Sequence, residues 1–277
     1  MAITTYAGIM NGLIQPVYVT KTPNTDTAAT PYINLTTWGT NNNAGTYDTT
    51  AAGATLSSSS AQVAGQLRHI DPATGNSYVA VLKAIITSTS TSGGKGNLVY
   101  LCDRLWHSGG YSNTTTTAQT VNSVAWPARD AAGSTNGDGV MIAFEIRAGL
   151  GATPNASARI TYTNSSGTGS RTGTIVLPST PQGAINSIYF FGLQAGDTGV
   201  RSVQSVTLSA SVVSGTWGLV AVRVLALMPV SVNKKAYKED GFTLGLPRLW
   251  NGSVPFILLT GNGNGTKCQI TYNETMG

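Results

Sequence analysis

Residues 101–110, LCDRLWHSGG, bring a thiol, a carboxylate, a guanidinium, an indole, an imidazole and a hydroxyl into one decapeptide. The whole chain holds only two histidines and two cysteines, so the concentration invites a chemical reading. Nucleophilic catalysis would use Ser108 or Cys102, His107 as base and Asp103 to orient it. The spacing argues against this. Neighbours on a strand point to opposite faces, so Ser108 cannot be served by His107 through adjacency. Asp103 and His107 share a face of a regular strand but stand about 13 Å apart at the usual rise. The core of the motif also recurs as PRLWNG at 247–252, with Asn in place of His and Pro in place of Asp. A motif that works without its base and acid is better read as a structural strand end. Arg104 and Arg248 reach a carbonyl or carboxylate, Leu enters the core, and Trp106 and Trp250 cap its edge.

Other candidates weaken in the same way. In STNGDGVMIAFE, residues 134–145, Asn136, Asp138, Gly139 and Glu145 fall at calcium-loop offsets. The first ligand position, however, holds Ser134, and the flank alternates as a strand does. A turn using Asn136-Gly137 and Asp138-Gly139 explains the same residues. GNGNG at 261–265 follows a strand and precedes another, so it reads as the tip of a final hairpin rather than a phosphate loop. Cys102 and Cys268 lie in apolar runs without metal spacing and read as buried thiols, with a disulfide left open. No catalytic, cofactor-binding or metal residue is assigned, and the chain reads as non-enzymatic.

The elements that must position these residues are strands. Alternation marks 139–148, 157–163 and 171–177, the latter two joined by the glycine-rich NSSGTGS. Further strands are expected over 185–193, 200–211 and 216–230. The one short helical candidate is the polar run Asn233 to Asp240. This spacing of strands and turns predicts an all-β body, a β-sandwich or jelly roll, over residues 62–277. Residues 1–61 differ. Polar tracts such as TKTPNTDTAATP separate short apolar islands, and the segment reads as an extended N-terminal arm. Its candidate assembly contacts are Leu13, Ile14, Val17, Tyr18 and Trp38; packing within the same chain is the competing reading.

Composition bounds the partners. Only 10 % of residues are charged, against the roughly 25 % of ordinary domains. Thr, Ser, Asn and Gly take their place. A weakly self-repelling surface of this kind suits packing against copies of itself. The net charge of +5 is scattered, without the basic stripe and interleaved aromatics of a nucleic-acid binder. The first residues lack the basic leader and apolar core of a signal peptide, and no run is long and apolar enough for a membrane helix. Neither nucleic acid nor membrane is expected as a partner.

Three runs go beyond composition. They are LVYLCDRLWHSGGYSNTTTTAQTVNSVAWPARDAAGSTNGDGVMIAFEI, FGLQAGDTGVRSVQSVTLSASVVSGTWGLVAVRVLALMPV and GLPRLWNGSVPFILL. In this order, over roughly Asn97 to Leu259, they resemble structural proteins of tailed-bacteriophage virions. The resemblance implies a virion component made in the host bacterial cytoplasm, a capsid decoration or cement protein that bridges capsid subunits. It brings no catalytic residues. The implied partners are the major capsid protein and further copies of the chain, with a trimer implied by the class. A tail, collar or baseplate component is the alternative. A carbohydrate-binding host-adhesion module is a second alternative, and it would require exposed aromatics among Trp38, Trp106, Trp126 and Trp250.

Overall fold

The computed structural model describes residues 5–13, 17–21, 32–34, 47–59, 66–88, 97–151, 156–177, 187–230, 235–260 and 266–277. One short helix, α1 (Tyr6–Asn11), is N-capped by Thr5, whose Oγ1 accepts from the Gly8 amide at 3.1 Å. The strands are β1 (Val17–Lys21), β2 (Tyr32–Asn34), β3 (Ala54–Thr55), β4 (Ser77–Ser88), β5 (Asn97–Ser108), β6 (Gln119–Thr120), β7 (Val140–Ala148) and β8 (Ser157–Asn164). They continue with β9 (Arg171–Val176), β10 (Ser187–Phe190), β11 (Val200–Leu208), β12 (Thr216–Val230), β13 (Ala236–Asp240), β14 (Arg248–Leu249), β15 (Pro255–Thr260) and β16 (Thr266–Met276). The protein is all-β, as its alternating, turn-punctuated sequence predicts. No helix among the described residues is long and apolar enough to cross a membrane.

The largest sheet closes on itself. β12 pairs with β7, β7 with β10, β10 with β2, β2 with β15, β15 with β5, and β5 returns to β12. All of these pairings are antiparallel. The ring is a small barrel, and β3 continues beside β5 where β15 ends. Alternation sends one set of side chains inward: Cys102, Ala143, Ile188, Val220, Val222, Phe256 and Leu258 form one buried cluster drawn from five strands. Strands buried on both faces read as continuous apolar runs, as in PFILLT and WGLVAVRVLALMPV.

The outward faces of the barrel carry two separate cores. At one end Leu105, Trp106, Phe144, Trp217 and Leu219 pack against Ile160, Tyr162, Val203 and Val206 of a four-stranded sheet, order β6-β11-β8-β9. At the other end Val99, Leu101, Met228 and Ile257 pack against Val79, Leu82, Ile270 and Tyr272 of a second sheet, order β1-β16-β4-β13, with β14 also on β4. Each end is thus a sheet-on-sheet sandwich, and the long strands β5 and β12 run through both.

Two local expectations are corrected. The polar run toward Asp240 is strand β13, not helix; its backbone pairs with β4 from Ala236↔Ile85 to Asp240↔Val81. A short polar segment has no apolar stripe to hold a helix, whereas an open sheet edge supplies hydrogen bonds at once. The segments flanking GNGNG are β15 and β16, but they do not pair as a hairpin. β15 belongs to the barrel and β16 lies between β1 and β4. GNGNG itself lies outside the described residues. Of the first 61 residues, the described pieces lie on the body's sheets: β1 on β16, β2 in the barrel and β3 on β5.

Candidate functional site: two ion networks on one strand

β5 carries the LCDRLWHS motif, and its alternation is broken once. The register against β12 shifts between Trp106↔Ala221 and Arg104↔Val222, so Leu105 is an extra residue, a β-bulge. Before the bulge Leu101 and Asp103 face outward, while Cys102 and Arg104 face into the barrel. After it Trp106 faces outward and His107 inward, opposite the inward Val220. This corrects the regular-strand expectation that Asp103 and His107 share a face. The bulge puts the barrel wall between them.

Outside the barrel, Asp103 sits between the two outer cores and is completely buried. Arg129 approaches it with Nε at 3.1 Å from Oδ2 and Nη2 at 3.4 Å from Oδ1. Ser253 Oγ donates to Oδ2 at 3.1 Å and the Val254 amide to Oδ1 at 2.8 Å. Arg223, directly opposite on β12, lies at 3.8 Å. Arg129 also donates to the carbonyls of Leu56 (2.8 Å), Arg104 (3.0 Å) and Gly252. The network ties five segments together, around Leu56, Asp103, Arg129, Arg223 and Ser253, at the junction of the two cores.

Inside the barrel, Arg104 Nη2 meets Glu145 Oε1 at 2.5 Å, and Arg147 Nε meets Glu145 Oε2 at 3.2 Å. Burial works against the Glu145 charge, but Arg104 and Arg147 overcome it and hold the carboxyl below its usual range. The Arg104 guanidinium lies over the Phe256 ring at 4.9 Å. His107 is pushed down to about 4, by burial first and then by Arg104 and Arg147, so it is neutral at pH 7. Ser108 Oγ bonds Tyr111 Oη at 2.5 Å and is engaged there.

The two Arg-Leu-Trp copies share a part. Leu105 and Leu249 are both buried. Trp106 donates Nε1–H to the Ala52 carbonyl at 3.0 Å and Trp250 to that of Asp130 at 3.1 Å, so each indole pins a loop. The arginines differ. Arg104 points into the barrel, whereas Arg248 stacks on Trp250 at 3.6 Å and donates to Asn76 Oδ1. Trp106 and Trp126 are buried, 5.0 Å apart, and are no glycan platform. Trp250 is half-buried and Trp38 lies outside the described residues.

The calcium-like loop is organised by Asp130. Its carboxylate accepts from the amides of Ala132, Ser134, Gly137 and Asp138 and from Ser134 Oγ, all within 3.2 Å. Gly137 and Gly139 take positive φ, +82° and +68°. Glu145, the twelfth residue of the apparent loop, is inside the barrel with Arg104. Among the described residues no group of three His, Cys, Asp or Glu side chains could hold a metal ion. Cys102 is a free thiol inside the barrel, and burial raises its pKa out of the reactive range.

Of the assembly candidates, Leu13 makes an isolated bridge to Thr275, and Val17 and Tyr18 lie on β1 opposite Tyr272 and Thr271. Ile14 and Trp38 lie outside the described residues. Sequence reasoning missed one group altogether. Buried His69 has Nδ1 2.9 Å from Glu274 Oε2 and Nε2 3.0 Å from Asp71 Oδ1. Tyr272 Oη lies 2.7 Å from Glu274 Oε1 and 2.6 Å from the Arg68 carbonyl. Nothing local announces this cluster, because its members are about two hundred residues apart in the chain. Arg129 and Glu145 were likewise silent as partners, but Arg223, a charge in the middle of an apolar strand, was a legible signal.

No protein-family model matches this chain, and no curated protein matches it. Among solved structures it is similar to VP2 of infectious bursal disease virus in a subviral particle, with TM-score 0.22, 11 % identity, and coverage of 95 % of this chain and 80 % of that one. A mutant VP2 of the same virus, in derived T=1 particles, gives TM-score 0.22, 10 % identity, and 99 % and 80 % coverage. At these TM-scores the overlap is too slight to bear on function.

Proposed function

We propose that the chain is a non-enzymatic structural protein of a tailed-phage virion, a capsid decoration or cement protein that bridges neighbouring capsid subunits. The observation that carries this reading is the fate of LCDRLWHSGG. Its carboxylate, guanidinium and serine hydroxyl are engaged in internal bonds, and its imidazole and thiol are buried. What resembles a reaction centre stiffens a barrel and joins two cores. The resemblance of three ordered runs to virion proteins and the charge-poor surface support the same reading. Such a protein resists separation of its neighbours mechanically, and its affinity comes from many shared contacts.

The assembly contacts belong to this proposal. β1 is the outermost strand of its sheet, with β16 on one side and no partner on the other among the described residues. A strand edge of this kind can accept a strand from a neighbouring subunit. Val17 and Tyr18 would then lie at a clasp between copies, in a trimer on the capsid surface.

Light scattering on the purified protein, alone and mixed with undecorated shells, tests the reading. A stable oligomer that co-sediments with shells is expected. A species that ignores shells and joins tails would replace it with the tail-component reading.

A further inference from the structure

His69 lies between two carboxylates of unequal burial. Its Nδ1 shares a hydrogen bond of 2.9 Å with Glu274 Oε2 on β16, and its Nε2 stands 3.0 Å from Asp71 Oδ1. The second contact lacks hydrogen-bond alignment, so charge holds it. The side chains of His69 and Glu274 are 0 % and 1 % exposed, whereas that of Asp71 is 38 % exposed.

Asp71 is itself a fastener. Its Oδ1 accepts from the Gly252 amide at 2.7 Å and its Oδ2 from Ser58 Oγ at 3.0 Å. The Gly252 carbonyl accepts from the Ser58 amide at 3.0 Å and from Arg129 of the Asp103 network. One carboxylate therefore joins three stretches of chain, around Ser58, Asp71 and Gly252. The other groups that face His69 are Tyr272, whose Oη lies 2.7 Å from Glu274 Oε1, and Asp103 of β5, whose charge also favours an imidazolium. Arg68, its neighbour in the chain, is exposed, and its carbonyl lies 2.6 Å from Tyr272 Oη.

Counting protons gives the consequence. An imidazolium carries a proton on each nitrogen and serves both carboxylates. A neutral imidazole carries one, and its other nitrogen turns a lone pair on the oxygen it faces. The remaining proton goes to Glu274, because a carboxylate left unpaired there would be wholly buried. Asp71 returns to water at far smaller cost. We infer that His69 is a proton-operated latch. Protonated, it fastens Asp71, and with it the Ser58 and Gly252 stretches, to β16; neutral, it keeps Glu274 and lets Asp71 go. Burial opposes the imidazolium, but the hydrogen bond and charge of Glu274, together with Asp71 and Asp103, raise its pKa above about 6.5. The latch is therefore closed below that value and opens as pH rises through the His69 titration. The opening is local, since β16 keeps its pairing with β1 and β4.

The test is NMR on the unaltered full chain between about pH 6 and about pH 9. The other histidine, His107, is pushed down to about 4, so the imidazole that titrates in this range is His69. Protection of the Gly252 amide, corrected for intrinsic exchange, should fall about tenfold or more through that titration, with the Ile270 amide of β16 unchanged. His69→Gln should abolish the pH dependence. Glu274→Gln separates the latch from a plain charge effect. The amide of that variant can donate to Nδ1, which frees the single imidazole proton for Asp71, so Gly252 should stay protected across the range. If charge alone held Asp71, removing the Glu274 charge would lower the His69 pKa and open the contact at lower pH; that result overturns the inference. Gly252 protection that stays constant through the His69 titration of the unaltered chain overturns it as well, whether or not the variants fold.

Discussion

At the residue scale, Asp103 and the two histidines show how burial converts reactive groups into structural ones. Asp103 accepts from Arg129, Ser253 and the Val254 amide with no water to replace any of them. Asp103→Ala leaves Arg129 and Arg223 facing each other unpaired and should lower stability by about 3–5 kcal/mol in urea unfolding. The histidines respond to pH with opposite signs. Burial disfavours the charge of His69, but its hydrogen bond to Glu274 and the charges of Glu274 and Asp71 raise its pKa above the unfolded value. Its contribution is fully present below about pH 6.5 and is lost as pH rises through the raised value. The pKa of His107 falls to about 4. Its contribution is present above about pH 6.5 and is lost on acidification toward 4. Urea midpoints across pH should therefore flatten on the alkaline side in His69→Gln and on the acid side in His107→Gln. Unchanged profiles would refute these assignments.

At the scale of elements, β5 is the decisive strand. One bulged residue, Leu105, re-aims everything after it, so that Trp106 meets Trp126 outside and His107 meets Arg147 inside. The existence of the strand and its apolar runs was legible in the sequence. The bulge was not, because it is defined by the partner strand β12, more than a hundred residues later. For the same reason β15 and β16 read as a hairpin but enter different sheets. Farther along β12, Gly218 pairs with Glu145 and makes room for the Ser108 carbonyl and Arg147. Gly218→Ala should destabilise the fold by about 1–3 kcal/mol through overpacking, read as a lower urea midpoint. At Gly196, by contrast, a Cβ would meet nothing within 4 Å, and space sets no such limit.

At the scale of the whole molecule, a closed barrel lies between two sandwiched sheets, with the long strands β5 and β12 common to both cores. Opening either end exposes one core, whereas opening the barrel exposes both. Amide exchange should accordingly be slowest in β5, β7 and β12 and faster in β13 and β9; uniform exchange across these strands would contradict this division.

The all-β class, the principal strand positions and the scarcity of charge followed from the sequence alone. Alternation, turn residues and composition are local properties, readable within ten residues. The barrel, the inward or outward fate of Asp103 and His107, and the His69–Glu274 pairing were decided only by tertiary structure. Each depends on which distant strand supplies the hydrogen bonds, and no local pattern encodes that choice.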